Sequence, residues 1–289
     1  MEEAIGRKKR GFAFNFRASL CIPFGVFMAL FVVLPLFIIV YYAFRDGDGG
    51  FTFQNWASLF ADGENSKVNW GIIGMTFVIA ASTTIICILI AYPIAYLLAN
   101  KKYNKNKVLV YIFLLPMWIN FVIRTIGLKE LLNSLTSVLF DWDITSEHPY
   151  ISIVIGMVYD YLPFAILPLY NQMLKLDKSQ IEAAADLGAN PAQVFMKAIV
   201  PQTIPGIVSA AMMTFMPTMS SYVIADKMSE NSKFIIGSLI QGYFIKRTDD
   251  VSSNIGSVLS LVMLMIVGVS MLAQKAFDKK TEERKGNLW

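Results

Sequence analysis

Few residues in this chain have side chains suited to chemistry, and the most telling is Asp160. It stands in the run Tyr159-Asp160-Tyr161-Leu162-Pro163-Phe164, inside a stretch that is otherwise largely apolar. A carboxylate in hydrocarbon costs roughly 2.5–3.5 kcal/mol on insertion scales, so it is kept for a cavity, a cation or a partner. Tyr159 and Tyr161 flank it, and Trp118 and Tyr222 lie in or beside other apolar runs. Aromatic faces attract ammonium groups by about 0.5–2 kcal/mol each. An acid among aromatic rings is thus a candidate binding path for a cationic solute. The structural alternatives are that Asp160 pairs with Arg124 or caps a turn broken at Pro163, and that the rings pack helices or form an interfacial belt. Arg124 is expected nearer the outer surface, where it would snorkel.

Catalytic chemistry has little support. The single His148 lies beside acids and reads as a solvated surface residue. Cys21 and Cys87 both sit in apolar runs and read as small core hydrophobes, with no disulfide framework or metal spacing. No Gly-x-x-x-x-Gly-Lys-Ser/Thr occurs, so no P-loop holds a nucleotide in this chain.

The elements that must position Asp160 are membrane spans. Of 289 residues, 55% are hydrophobic and only 16% charged, with mean hydropathy +0.53. A soluble domain carries about 25% charged residues. With roughly 20 apolar residues needed per span, six candidates appear, at about 18–44, 70–99, 108–128, 150–174, 202–225 and 252–276. All are helices, because lipid does not tolerate unpaired backbone. Pro116, Pro163, Pro168 and Pro217 are expected to interrupt them. Met212, Met213, Met216 and Met219 read as adaptable packing. Lys and Arg concentrate before the first span, in 100–107, in 175–200 and in the tail, 17 of 25 in all, while the opposite loops hold twelve acids. Both termini and the 175–200 loop therefore face the cytoplasm. The net charge of +4 is a topology signal spread over short loops and does not suggest a nucleic-acid partner. The organisation is a cytoplasmic segment 1–17, a membrane domain 18–276 and a cytoplasmic tail 277–289. From Pro149 inward, Asp160 is about 16 Å deep, near mid-bilayer.

Residues 177–201 interrupt the greasy chain with Asp-Lys-Ser-Gln-Ile-Glu-Ala-Ala-Ala-Asp-Leu-Gly-Ala-Asn-Pro-Ala-Gln-Val-Phe-Met-Lys-Ala-Ile-Val-Pro. Asp177 is a good N-cap with Gln180 at N3, the pattern of a capping box. Gly188 suits the left-handed residue that ends a helix. Asn190 caps a second helix with Pro191 at N1 and Gln193 repeating the box. Val194, Phe195, Ala198 and Ile199 form its apolar side, Pro201 is expected to stop it, and Pro205-Gly206 opens the fifth span. A short helix pair with small exposed residues offers a partner protein close approach. A membrane-surface hairpin with no binding role fits the spacing equally well.

Glu182-Ala183-Ala184, Gly188, Phe195 and Pro201 resemble the EAA loop of type I ABC importer permeases. Phe51-Thr52-Phe53-Gln54-Asn55-Trp56, Leu115-Pro116-Met117-Trp118-Ile119-Asn120 with Arg124, and the run around Asp160 with Leu167-Pro168-Leu169-Tyr170 are similar to spermidine/putrescine permeases within that family, over nearly the whole chain. The resemblance implies an all-α, six-span MetI-like permease fold in the inner membrane. It implies that Glu182, Ala183, Ala184, Gly188, Ala189, Phe195 and Pro201 couple to a cytoplasmic pair of ATP-binding subunits. ATP and Mg would be bound there, with no cofactor and no catalysis in this chain. A second, related permease chain and an extracytoplasmic polyamine-binding protein are the other implied partners, with lipid around the spans. Asp160, Trp118, Tyr159, Tyr161 and Tyr222 are the candidate solute path. A different solute, or an ion-coupled secondary transporter using Asp160, are the alternatives.

Overall fold

The structure is a computed structural model that describes residues 21–47, 49–60, 70–100, 104, 108–230, 232, 235–246 and 250–286. The basic segment 1–17 and most of the 100–107 loop lie outside these residues. In chain order the helices are α1 (Ile22–Ala43), α2 (Gln54–Phe60), α3 (Trp70–Ala99), α4 (Val108–Trp118), α5 (Phe121–Phe140) and α6 (Ile144–Glu147). They continue as α7 (Pro149–Met173), α8 (Lys178–Asp186), α9 (Pro191–Ser220), α10 (Tyr222–Met228), α11 (Ile236–Ile245) and α12 (Asp250–Gly286). Among the described residues there is no named strand; the extended pairing is an isolated bridge between Arg45 and Phe51.

Among the described residues, five helices are long and apolar enough to cross a membrane: α1, α3, α7, α9 and the Ser253–Ala273 part of α12. The sixth is α4 with α5, bent by 93° where they meet. The expected span over 108–128 is thus interrupted, as Pro116 suggests, and its second helix runs on to Phe140 rather than ending at 128. Pro116 tightens the end of α4 into a 3₁₀ turn, Ile119 is extended at ψ 139°, and Asn120 caps the new helix through Val122 and Ile123 N–H. At 1.5 Å per residue α4 is only about 17 Å long, short of the ~30 Å hydrocarbon core.

Other boundaries also move. Pro201 does not stop a helix, since α9 runs from Pro191 to Ser220 and the span ends there rather than at 225. A π-helical turn over Phe195–Ile199, with Val200 N–H on the Phe195 carbonyl, precedes the proline. Widening to i→i+5 bonding relieves the missing N–H and ring clash that proline brings to an α-helix. A similar wide turn, Ala29–Val33, precedes Pro35 in α1. Pro163 and Pro168 sit inside continuous α7, and Pro217 inside α9, so of the four expected breaks only Pro116 is one. The last helix outruns 276 because 277–285 holds good helix formers and meets no Gly until Gly286.

The core is made by close approach. Ala80, Thr84, Cys87, Ala91 and Ala95 recur along one face of α3 and are buried. Cys87, Ala91 and Ala95 form the inner cluster with Ala165, Ile166 and Leu169 of α7 and Ala210 of α9. In lipid the hydrophobic effect does not drive helices together, so small residues that let backbones approach supply the packing. Gly206 shows how tight this is: a Cβ there would meet the Gln172 Cβ at 2.6 Å. Toward the α10 end, Ile79, Ile153, Met157, Ile224 and Met228 form a second cluster. A third joins Ala43 of α1 to Ile255, Val258 and Leu259 of α12.

Candidate functional site

Asp160 lies on the buried face of α7 and is 2% exposed. Arg124, one turn into α5, comes to it because α4 and α5 bend. Its Nε donates to Asp160 Oδ1 at 2.6 Å, and its Nη2 to the Asp160 carbonyl at 3.3 Å. Thr125 Oγ1 donates to Oδ2 at 2.7 Å. Arg124 Nη1 closes the bend by donating to the Pro116 carbonyl at 2.7 Å. Both carboxylate oxygens are thus engaged by the protein. Arg124 is 9% exposed, so the expected snorkelling is corrected: the bend turns the guanidinium inward to a buried acid. A buried charge is tolerated when it is paired and hydrogen-bonded, and this pair is both.

The aromatic candidates are not one cluster. Tyr159 lies under the Arg124 guanidinium at 5.3 Å and is 42% exposed. Tyr161 is half-buried on the other side, its hydroxyl donating to the Pro217 carbonyl of α9 at 3.4 Å. Trp118, at the end of α4, is 84% exposed, and Tyr222 opens α10 in the open. Sequence reasoning missed Thr125 and the Pro116 carbonyl. The adjacency of Thr125 to Arg124 was the available signal. His148 is exposed, as expected, with its ring edge-on to Trp142 at 5.2 Å between centroids.

The 177–201 segment folds largely as its sequence dictates. Gly188 takes φ +81° after α8, and the amides of Gly188 and Ala189 close on the Ala185 and Ala184 carbonyls. This is a Schellman ending, which satisfies the last carbonyls of the helix. Asn190 and Gln193 form the full reciprocal capping box, at 2.9 and 3.0 Å. Asp177 caps α8 through the Ser179 hydroxyl and amide, and these bonds hold its carboxyl below its ordinary value. The other half of that first box comes from an unexpected place. The Asp177 amide donates to Gln202 Oε1, 25 residues on, at 3.0 Å.

The segment has an outer and an inner side. Glu182, Ala183, Ala185 and Asp186 are exposed, and Leu187 is 89% exposed. Phe195 turns the other way, edge-on to Tyr92 and Tyr96 of α3 at 5.6 and 6.1 Å. Tyr92 also shares a hydrogen bond with Thr203 of α9 at 2.7 Å. Glu182, Ala183, Ala184, Gly188 and Ala189 therefore lie on or near one small protruding unit, while Phe195 and Pro201 belong to its root. The unit is a protruding knob: a short, fully capped helix with an exposed large apolar tip, rooted on spans.

Residues 91–283, which include the bend cluster and the knob, match the model of the binding-protein-dependent transport system inner membrane component. The chain belongs to that family. It is a multi-pass membrane permease subunit. It is 32% identical to the spermidine/putrescine transport system permease protein PotB of Haemophilus influenzae over 270 residues, 88% of this chain and 93% of the other. The Escherichia coli protein of the same name is 29% identical over 273 residues, 88% and 96% of the two chains. Among solved structures the permease resembles a chain of a bacterial ABC transporter that imports alginate, at TM-score 0.63 and 16% identity, over 90% and 95% of the chains. It also resembles a chain of the inward-facing MetNI methionine ABC transporter, at TM-score 0.52 and 20% identity, over 73% and 93%. Those likenesses establish the all-α, MetI-like importer permease fold.

Proposed function

We propose that this permease subunit carries a polyamine of the spermidine/putrescine class into the cell, driven by ATP hydrolysis on separate cytoplasmic subunits. The observation that carries the ATP-driven reading is the knob at 178–189. Its capped helix presents Glu182 and Leu187 outward, while Phe195, Thr203 and Gln202 root it on α3 and α9. A displacement imposed on Leu187 by an ATP-binding subunit pair would reach the spans through that root. The polyamine assignment is supported by the names of relatives that align over most of the chain. A second, related permease chain completes the path, and an outer binding protein delivers the solute. The Lys and Arg asymmetry supports cytoplasmic termini and a cytoplasmic knob.

Tyr159, Trp118 and Tyr222 offer exposed rings for ammonium groups, and Tyr161 lines the α7–α9 contact. Asp160 serves the path by fixing the bend beneath Tyr159 through Arg124. An ion-driven transporter would need Asp160 free to exchange a proton or ion, and Arg124 and Thr125 hold both of its oxygens. The deciding experiment is uptake of radiolabelled spermidine into vesicles bearing the assembled transporter. Uptake that needs ATP, persists when ion gradients are collapsed and is competed by putrescine is the expected result. Uptake driven by a gradient alone, or competed equally by unrelated solutes, refutes the proposal.

A further inference from the structure

The joint between knob and spans converges on one side chain that no motif marks. Gln202 sits in α9 just past the wide π turn and Pro201. Its Nε2 donates to the Ala198 carbonyl at 3.0 Å, and its Oε1 accepts the Asp177 amide at 3.0 Å. Its own carbonyl accepts from Gln172 Nε2, near the end of α7, at 2.9 Å. One residue thus links the first turn of α8, the π turn of α9 and the base of α7. The backbone between α7 and α8 is otherwise a short connection, Leu174–Asp177, with turn-like bonds from Lys175 and Leu176 back to Gln172 and Met173. A turn of that kind transmits little force, because it can flex about its own dihedrals. The Gln202 bonds tie its far end directly to α9.

We infer that Gln202 is the positioning residue through which motion of the Lys178–Asp186 helix is delivered to the fourth and fifth spans, α7 and α9. The inference rests on the coupling role proposed above for the knob. Three bonds from one side chain and its carbonyl make α8 and the bases of α7 and α9 move as a unit. Without them α8 pivots on Asp177 and the power stroke is spent in the loop. The acceptor at Oε1 is the essential atom, since it alone reaches the coupling helix.

The test uses the complete transporter, with both permease chains, the ATPase pair and the binding protein, in proteoliposomes. The measured quantity is ATP hydrolysed per radiolabelled spermidine taken up. Gln202→Met keeps length and loses both amide functions, whereas Gln202→Glu keeps the acceptor. The expected result is that Gln202→Met retains the ATPase subunits and raises the ratio roughly fivefold, the size of one net hydrogen bond. Gln202→Glu returns the ratio at least halfway to the parent value. An unchanged ratio in Gln202→Met overturns the inference, as does a rise of the same size in both variants or a parallel fall of uptake, hydrolysis and assembled complex. Leu187→Asp separates the two claims. If it leaves ATPase association intact, the docking role of the knob is wrong; if it abolishes association while Gln202→Met behaves as the parent, only the joint is wrong.

Discussion

The permease holds its two polar centres in opposite ways. At the bend between α4 and α5, Arg124, Thr125 and Asp160 are nine-tenths or more buried and satisfy one another with charge. At the knob, Asp177, Asn190, Gln193 and Gln202 are exposed or half-buried and satisfy the backbone with neutral amides, caps and one carboxylate. In low dielectric a broken bond leaves a bare group at full desolvation cost, so the bend has one arrangement. In water each bond trades with solvent, so the knob's contacts are individually weak and its outer face stays free to dock. The buried centre fixes the shape of a span, and the exposed one leaves a movable part on the spans.

The comparison breaks most visibly at Asp160. Asp160→Asn leaves the Arg124 guanidinium buried without a counter-charge, a loss of about 3–5 kcal/mol when one partner of a buried pair is removed. The expected outcome is a large drop in the unfolding midpoint of the purified permease in detergent. The double variant Asp160→Leu with Arg124→Met should recover most of it, because no charge is left behind. If Asp160→Asn unfolds like the parent and only spermidine uptake falls, Asp160 is a solute contact and the two centres are not opposites.

Gly188 gives the next largest effect. Its φ of +81° is left-handed, and a Cβ there meets nothing within 4 Å. Gly188→Ala therefore feels only its own backbone, at about 1–2 kcal/mol. Hydrogen exchange of the 178–186 amides should quicken while α3 and α7 stay protected. Gly188→Pro cannot reach that φ at all and should abolish uptake with membrane insertion intact. Protection lost equally in α3 would mean that knob and spans form one cooperative unit.

Asn190→Ala removes the side-chain half of its capping box, the Asn190 Oδ1 that accepts the Gln193 amide, worth about 1 kcal/mol. The root is held independently by Phe195 on Tyr92 and Tyr96, so the damage should stay at the start of α9. Faster exchange confined to 190–196 is the expected reading; a lowered midpoint for the whole chain would show the cap to be structural for the span.

Local chemistry explains how much of this was legible. The caps at Asn190 and Asp177 and the turn at Gly188 depend on residues within four positions of each other, so residue type and spacing specify them. The bend at Ile119–Asn120 was hidden by a run of apolar residues that hydropathy cannot divide, although Pro116 and Asn120 mark it. Gln202 was missed because its partner is 25 residues away and no local pattern encodes such pairing; the Arg124–Asp160 pair was one of the stated alternatives, and only the depth of Arg124 was misplaced. Prolines misled in the other direction. Each proline withholds one N–H from a carbonyl a turn earlier, yet α7 continues through Pro163 and Pro168 and α9 through Pro217. The small-residue stripe of α3, spaced by three and four, went unread in the sequence, although it is the feature that packs against α7.

The smallest effect is electrostatic and sharpens the contrast at the α10 end of the spans. Glu230, left-handed at φ 52° after α10, pairs with Lys129 of α5 at 2.9 Å and receives the Thr145 hydroxyl at 3.4 Å. The Lys129 hydrogen bond and charge hold its carboxyl below the ordinary glutamate value of 4.5. A depressed carboxyl contributes stability that is fully present above its unfolded value and is lost as pH falls through the folded one. With half of the Glu230 side chain in solvent, the pair is worth below about 1 kcal/mol and is screened by salt. Acidification from pH 6 through the region below 4.5 should therefore lower the unfolding midpoint slightly in the parent, and less so in Glu230→Gln. A steep acid transition that survives Glu230→Gln would show that the Glu230–Lys129 pair is not its source.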